Sequence, residues 1–182
     1  MTGDLKSMNT TVTVSILFYK GPGTFVETII RWWTGSPYAH CEFYRSDGLC
    51  HSNDRLRRVS RLQRIEITPA EWEVFPIELP AEIVERIERR QLRKNGTGYD
   101  WRGIIFSQVF PWGWHNRHRW FCSKSNADDL AYAYRLMKRT GNKRFDPYLR
   151  TLSCFASFPV QCFSPALLHQ KLTAGSIEGE IL

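Results

Sequence analysis

Ala39-His-Cys-Glu-Phe-Tyr44, Arg45-Ser-Asp-Gly48 and Leu49-Cys-His-Ser-Asn53 follow one another without a break, two short runs about a turn-forming Ser46-Asp-Gly48. They read as two antiparallel strands of one hairpin. A two-residue turn at Ser46-Asp47 would set His51 opposite Glu42, and a turn at Asp47-Gly48 would set it opposite Tyr44. Strand side chains repeat every two residues, so both registers place His51 on the face of His40 and Glu42. Cys41 and Cys50 are then expected on the other face.

Working outward, Thr11 to Tyr19 alternates and is rich in β-branched residues, which predicts a strand. Lys20-Gly-Pro-Gly23 is a turn, and Thr24 can cap a helix over Phe25 to Trp33, whose apolar residues recur at helical spacing. Val59 to Ile67 and Glu73 to Ile77 read as further strands. Pro80 to Arg93 reads as an amphipathic helix with Ile83, Val84 and Ile87 inward, stopped by Asn95-Gly-Thr-Gly98. Asp100 can cap a short helix through Phe106, ahead of a Pro111-Trp-Gly-Trp114 loop. A longer helix is expected from Ser123 or Ser125 to Arg139, and a short one from Pro165 to Lys171 with proline at its first position. Residues 1–172 form one domain in this reading, and 173–182 a loose tail.

Two histidines and a carboxylate on one face matter because a free cysteine at neutral pH is mostly protonated, whereas the thiolate is the nucleophile. An imidazole can take the proton, and a third polar group can fix that ring's orientation. Cys122 has the best setting of the five cysteines. It stands at the start of a helix, where the dipole and unpaired amides lower a thiol's pKa and where the Ser123 amide can hold an oxyanion. Lys124 adds positive charge beside it. The alternative is a small buried thiol with no chemistry.

Composition bounds the rest. The 182 residues suffice for one core, and 42% hydrophobic content excludes a disordered chain. The net charge of +7 points to an anionic surface as partner, but no base-reading motif accompanies it, so a nucleic-acid module is not expected. The polar start, Met1 to Asn9, lacks a signal-peptide pattern, and no apolar run is long enough to span a bilayer. With an odd number of cysteines, a reduced, cytoplasmic compartment at synthesis is expected; release by lysis or a dedicated device, or a host-cell or virion setting, fits the same pattern.

Four segments together resemble the permuted papain-like amidases, the YaeF/YiiX group within the superfamily of NlpC-type cysteine peptidases. They are Tyr38-Ala-His-Cys-Glu-Phe-Tyr44, Leu49-Cys-His51, Tyr99-Asp-Trp-Arg-Gly103 and Trp120-Phe-Cys-Ser123. In permuted members a histidine hairpin precedes a cysteine that opens a helix, which is the order here. The likeness spans Val14 to Leu172 and includes Ser164-Pro-Ala-Leu167. It implies an α+β, circularly permuted papain-like fold, with an antiparallel sheet packed against a helix that carries the cysteine at its N-terminus. It implies a cofactor-free hydrolase for amide, ester or thioester bonds, with Cys122 as nucleophile, His40 as base and His51 as the orienting group. Ser123, Tyr99, Glu42 and Tyr38 complete the site as oxyanion or substrate-binding residues, Glu42 being the fallback orienter. Two positions depart from the group: Lys124 stands where an acid is frequent, and Ala39 where a serine is.

Two other classes stay open. Lecithin retinol acyltransferase-type enzymes share the histidine-hairpin-then-cysteine layout, although their Asn-Cys-Glu context is absent from Phe121-Cys-Ser123. A non-catalytic papain-like binding protein is the other. His40, Cys41, Cys50 and His51 suggest zinc only superficially, because alternation sends the cysteines away from the histidines. His115 and His118 read as exposed basic residues, His169 as a structural or surface residue, and Cys154 and Cys162 as buried thiols.

Overall fold

The alternating, β-branched run at the start of the chain forms β1 (Thr11–Tyr19), the strand about which the rest assembles. The computed structural model describes residues 10–54, 59–97 and 122–180. After β1 come α1 (Phe25–Thr34), β2 (His40–Tyr44), β3 (Cys50–Asp54), β4 (Val59–Gln63), β5 (Trp72–Pro80) and α2 (Ala81–Lys94). Then follow α3 (Cys122–Thr140), α4 (Asp146–Ser157) and α5 (Pro165–Glu180), with single 3-10 turns at Lys143–Phe145 and Val160–Cys162. The five strands make one antiparallel sheet in the order β4-β3-β2-β1-β5. The protein is thus α+β, with helices gathered on the sheet.

Alternation along the strands divides the apolar residues between two faces. Val14, Ile16, Phe18, Cys41, Phe43, Ile77 and Leu79 point to the helices and share a core with Leu130, Met137, Phe155 and Phe163. Leu17, Cys50 and Trp72 point the other way and are covered by Ile65 and Ile67. Helix α2 buries Ile83, Val84 and Ile87, as its spacing predicts.

The hairpin takes neither of the expected registers. Phe43 pairs with His51 and Tyr44 with Cys50. The connection is Ser46-Asp47-Gly48, closed by Arg45 N–H to Leu49 O at 2.9 Å and Gly48 N–H to Arg45 O at 3.1 Å. Gly48 supplies the left-handed residue at φ 77°, a conformation that costs glycine little, and Asp47 Oδ1 accepts from Leu49 N–H at 3.1 Å. A three-residue loop moves the pairing by one, and a shift of one residue exchanges the faces. His51 therefore shares a face with Cys41 and Phe43, whereas Cys50 and Ser52 share the face of His40 and Glu42.

Other boundaries also move. Helix α5 runs on to Glu180, so the expected tail from Thr173 is helical over most of its length. Strand β4 stops at Gln63, short of Ile67. Cys154 is half-buried and Cys162 exposed, since Phe155 and Phe163, with ring centroids 5.3 Å apart, fill the core in their place. Helix α1 has the capping box formed by Thr24 and Glu27 and a left-handed Gly35 at its end, but none of its residues is buried. The expected Asp100 helix, the Pro111–Trp114 loop, Tyr99, His115 and His118 lie outside the described residues.

Candidate active site

The first two turns of α3 are made almost wholly of small and polar residues: Cys122, Ser123, Lys124, Ser125, Asn126, Asp128 and Asp129 are all buried. Burying such residues is unfavourable unless each finds a partner, so they mark where the helix is tied to its surroundings. Ser123 Oγ donates to Phe163 O at 2.5 Å, and Asn126 Nδ2 donates to Cys41 Sγ at 3.3 Å. Asp129 accepts from Lys94 Nζ at 2.6 Å and from Gln91 Nε2 at 3.0 Å, which fastens α3 to α2. Arg90 adds an ion pair to Asp128 at 2.6 Å.

These ties bring Cys122 to the start of β2. Its thiol interacts most strongly with the Cys41 thiol, and also with the His40 imidazole and the Cys41 amide. His40 is the first residue of β2, so its ring stands at the strand end. There its Nε2 lies 3.2 Å from Glu42 Oε1 and 3.4 Å from Ser52 Oγ. The His40 side chain keeps 24% of its surface exposed while Glu42 keeps 5%, so the site opens at the imidazole and closes behind it.

The electrostatics follow from these contacts. The hydrogen bond from the Cys41 thiol holds the Cys122 pKa well below that of an ordinary thiol; burial opposes this, and the His40 charge reinforces it. Burial alone would depress His40, but the adjacent Cys122 thiolate and then Glu42 outweigh it and raise the ring to about 10. Glu42 is lowered despite its burial, because His40 bonds to it. Burial, with the Cys122 thiolate, pushes the Cys41 thiol up, so Cys41 keeps its proton and donates. These shifts run in the direction that favours a thiolate–imidazolium pair backed by a carboxylate.

His51 takes no part in it. The shifted register puts it on the helix face, 1% exposed, with Nε2 at 2.9 Å from Ser60 Oγ. Burial, helped by Lys94 and Arg45 and resisted by Asp129, lowers its pKa to about 4. A ring held neutral on the far face cannot orient His40. That place is occupied by Glu42.

The remaining candidates divide. The Ser123 hydroxyl is engaged by Phe163, leaving its backbone N–H, which lies among the first four amides of α3 and so lacks an intrahelical acceptor. Tyr38 donates its hydroxyl to Glu73, and His169 Nε2 sits 3.4 Å from that hydroxyl and 2.7 Å from Glu73 Oε1. Tyr38 thus belongs to a half-buried cluster with Phe18, Glu73 and His169. The zinc quartet is split by the same register: His40 and Cys50 lie on one face, Cys41 and His51 on the other. Among the described residues no three His, Cys, Asp or Glu side chains are grouped to hold a metal.

Sequence reasoning missed Cys41, Asn126 and Ser52. Cys41 faces away from His40 in any register, and it meets Cys122 because α3 packs on the face of the sheet that Cys41 shares with Phe43. Asn126 lies one helical turn after Cys122, a spacing that places both on one side of α3. Among the described residues no helix is long and apolar enough to cross a membrane. No family model, curated protein or solved structure matches the chain.

Proposed function

We propose that this chain is a cysteine hydrolase of permuted papain-like order that cleaves an acyl bond through a thioester on Cys122. One observation carries the reading: a thiol at the mouth of a helix meets an imidazole that is itself bonded to a buried carboxylate. The Cys122 thiolate attacks the acyl carbonyl carbon, and the Ser123 amide is set to receive the oxyanion. The His40 imidazolium gives its proton to the leaving nitrogen or oxygen as that bond breaks. Neutral His40 then takes a proton from water, which adds to the thioester; the acid leaves and the thiolate–imidazolium pair returns. Glu42 fixes the ring throughout, in the role expected of His51. No cofactor enters these steps. The substrate class is an acyl compound: a peptide, a peptidoglycan peptide or a lipid amide.

An electrophilic acyl probe read by intact mass tests this. The parent should take one label at Cys122, Cys122→Ala none, and His40→Ala should react slower by about 10²-fold or more while circular dichroism stays unchanged. Equal labelling of Cys122→Ala and the parent would refute the assignment.

A further inference from the structure

Helix α1 is amphipathic in the unexpected sense. Its ten residues, Phe25–Thr34, carry Phe25, Val26, Ile29, Trp32 and Trp33 on one stripe, at the i, i+1, i+4, i+7 and i+8 positions of a single face. A soluble helix turns such a stripe inward. Here Phe25 is 79% and Trp32 78% exposed, and Val26, Ile29 and Trp33 are exposed as well. The side toward the protein holds the half-buried Glu27, Ile30, Arg31 and Thr34 instead. Arg31 Nη2 donates to Gly21 O at 2.6 Å, and its guanidinium lies 5.9 Å from the Tyr19 ring, so the polar side is the one that is fastened.

We infer that α1 is a membrane-docking helix that lays this stripe into the interface of an anionic lipid bilayer. Three observations favour that occupant. The stripe is rich in tryptophan and phenylalanine, the residues that settle at the boundary between headgroups and acyl chains. It bears no charge: the one acid of the helix, Glu27, is folded back onto the Thr24 amide at 2.6 Å and the Thr24 hydroxyl at 3.0 Å. The chain as a whole is +7, which draws it to an anionic surface and keeps copies apart. A stable dimer face takes roughly 20–30 residues a side, far more than this stripe offers. The placement has a consequence for the site. Helix α1 is inserted between Tyr19 and His40, which are partners across β1 and β2, with Ala39 N–H donating to Tyr19 O at 3.1 Å. Docking of α1 would hold the start of β2 close to the lipid. The inference goes beyond the proposed chemistry and does not rest on it.

Co-sedimentation of the full chain with vesicles tests it, using phosphatidylcholine alone and phosphatidylcholine with about a third phosphatidylglycerol. The parent and Cys122→Ala should both bind the anionic vesicles, and binding should weaken as salt rises. The combined variant Phe25→Ser, Ile29→Ser, Trp32→Ser should lose binding by about tenfold or more, with unchanged circular dichroism because these side chains face solvent. Binding by the variant as tight as the parent's would overturn the proposal. So would equal affinity for both kinds of vesicle, or a parent dimer in light scattering that the variant abolishes.

Discussion

His40 and His51 stand on neighbouring strands of one hairpin, and their protonation is driven in opposite directions. His40, at a strand end beside a thiolate and a carboxylate, is raised to about 10. His51, one face away and sealed between the sheet and α3, is lowered to about 4. The residue type is the same and both are largely shielded from water. The difference lies in the partners: His40 has a negative charge on either side, whereas His51 meets a serine hydroxyl and charges of both signs, Asp129 and Glu42 against Lys94 and Arg45, which do not overcome its burial. Burial among charges that offset one another leaves a neutral structural ring, and burial between two anions favours the charged one.

The contrast can be broken from either side. Glu42→Gln removes the charge behind His40 and should lower the rate of acyl transfer by about 10²–10⁴-fold, as replacing a triad carboxylate by its amide does. An unchanged rate would show that Ser52 alone holds the ring. On the other side, Lys94→Met leaves the buried Asp129 carboxylate without its closest cation. Chemical denaturation should report a loss of about 3–5 kcal/mol, with the probe reaction on Cys122 slowed only in proportion to unfolding.

The His51 arm makes a pH prediction of definite sign. A histidine lowered in the native state contributes stability that is complete above its unfolded pKa near 6.5 and is lost as pH falls toward 4, because the unfolded chain binds the proton first. Stability should therefore decline by up to about 3 kcal/mol over that window, and His51→Gln should flatten the decline. The smallest effect is expected at Cys41. Cys41→Ala removes a donor to the thiolate and should slow alkylation at neutral pH by about tenfold, with Cys41→Ser restoring part of the rate.

Much of the architecture was legible because it rests on period and punctuation. The run Thr11 to Tyr19 coincides with β1, and Ile83, Val84 and Ile87 face inward on α2 as their spacing requires. Cys122 and His40 were expected near one another, whereas His51, expected on the face of His40, lies on the other face and Glu42 stands beside the ring. That error came from one residue of loop length: Ser46-Asp-Gly48 permits two- and three-residue turns, and the choice is settled by Asp47 bonding to Leu49 and by Gly48 taking a left-handed φ. Helix α4 escaped notice even though Asp146-Pro147 is a good helix start, because its apolar residues were read as a run of buried thiols and rings. The outward stripe of α1 could not be read at all, since amphipathic spacing states that a helix has two sides and is silent on which side meets water.

The pH dependence of alkylation at Cys122 by a neutral haloacetamide, followed by mass spectrometry, bears most directly on the thiolate–imidazolium pair. If the pair exists in the resting protein, the rate should stay nearly level from pH 8 down to pH 6, within about twofold, and His40→Ala should abolish that plateau. A rate that falls about tenfold per pH unit below an ordinary thiol pKa of ~8.5, in the parent as in the variant, would contradict it.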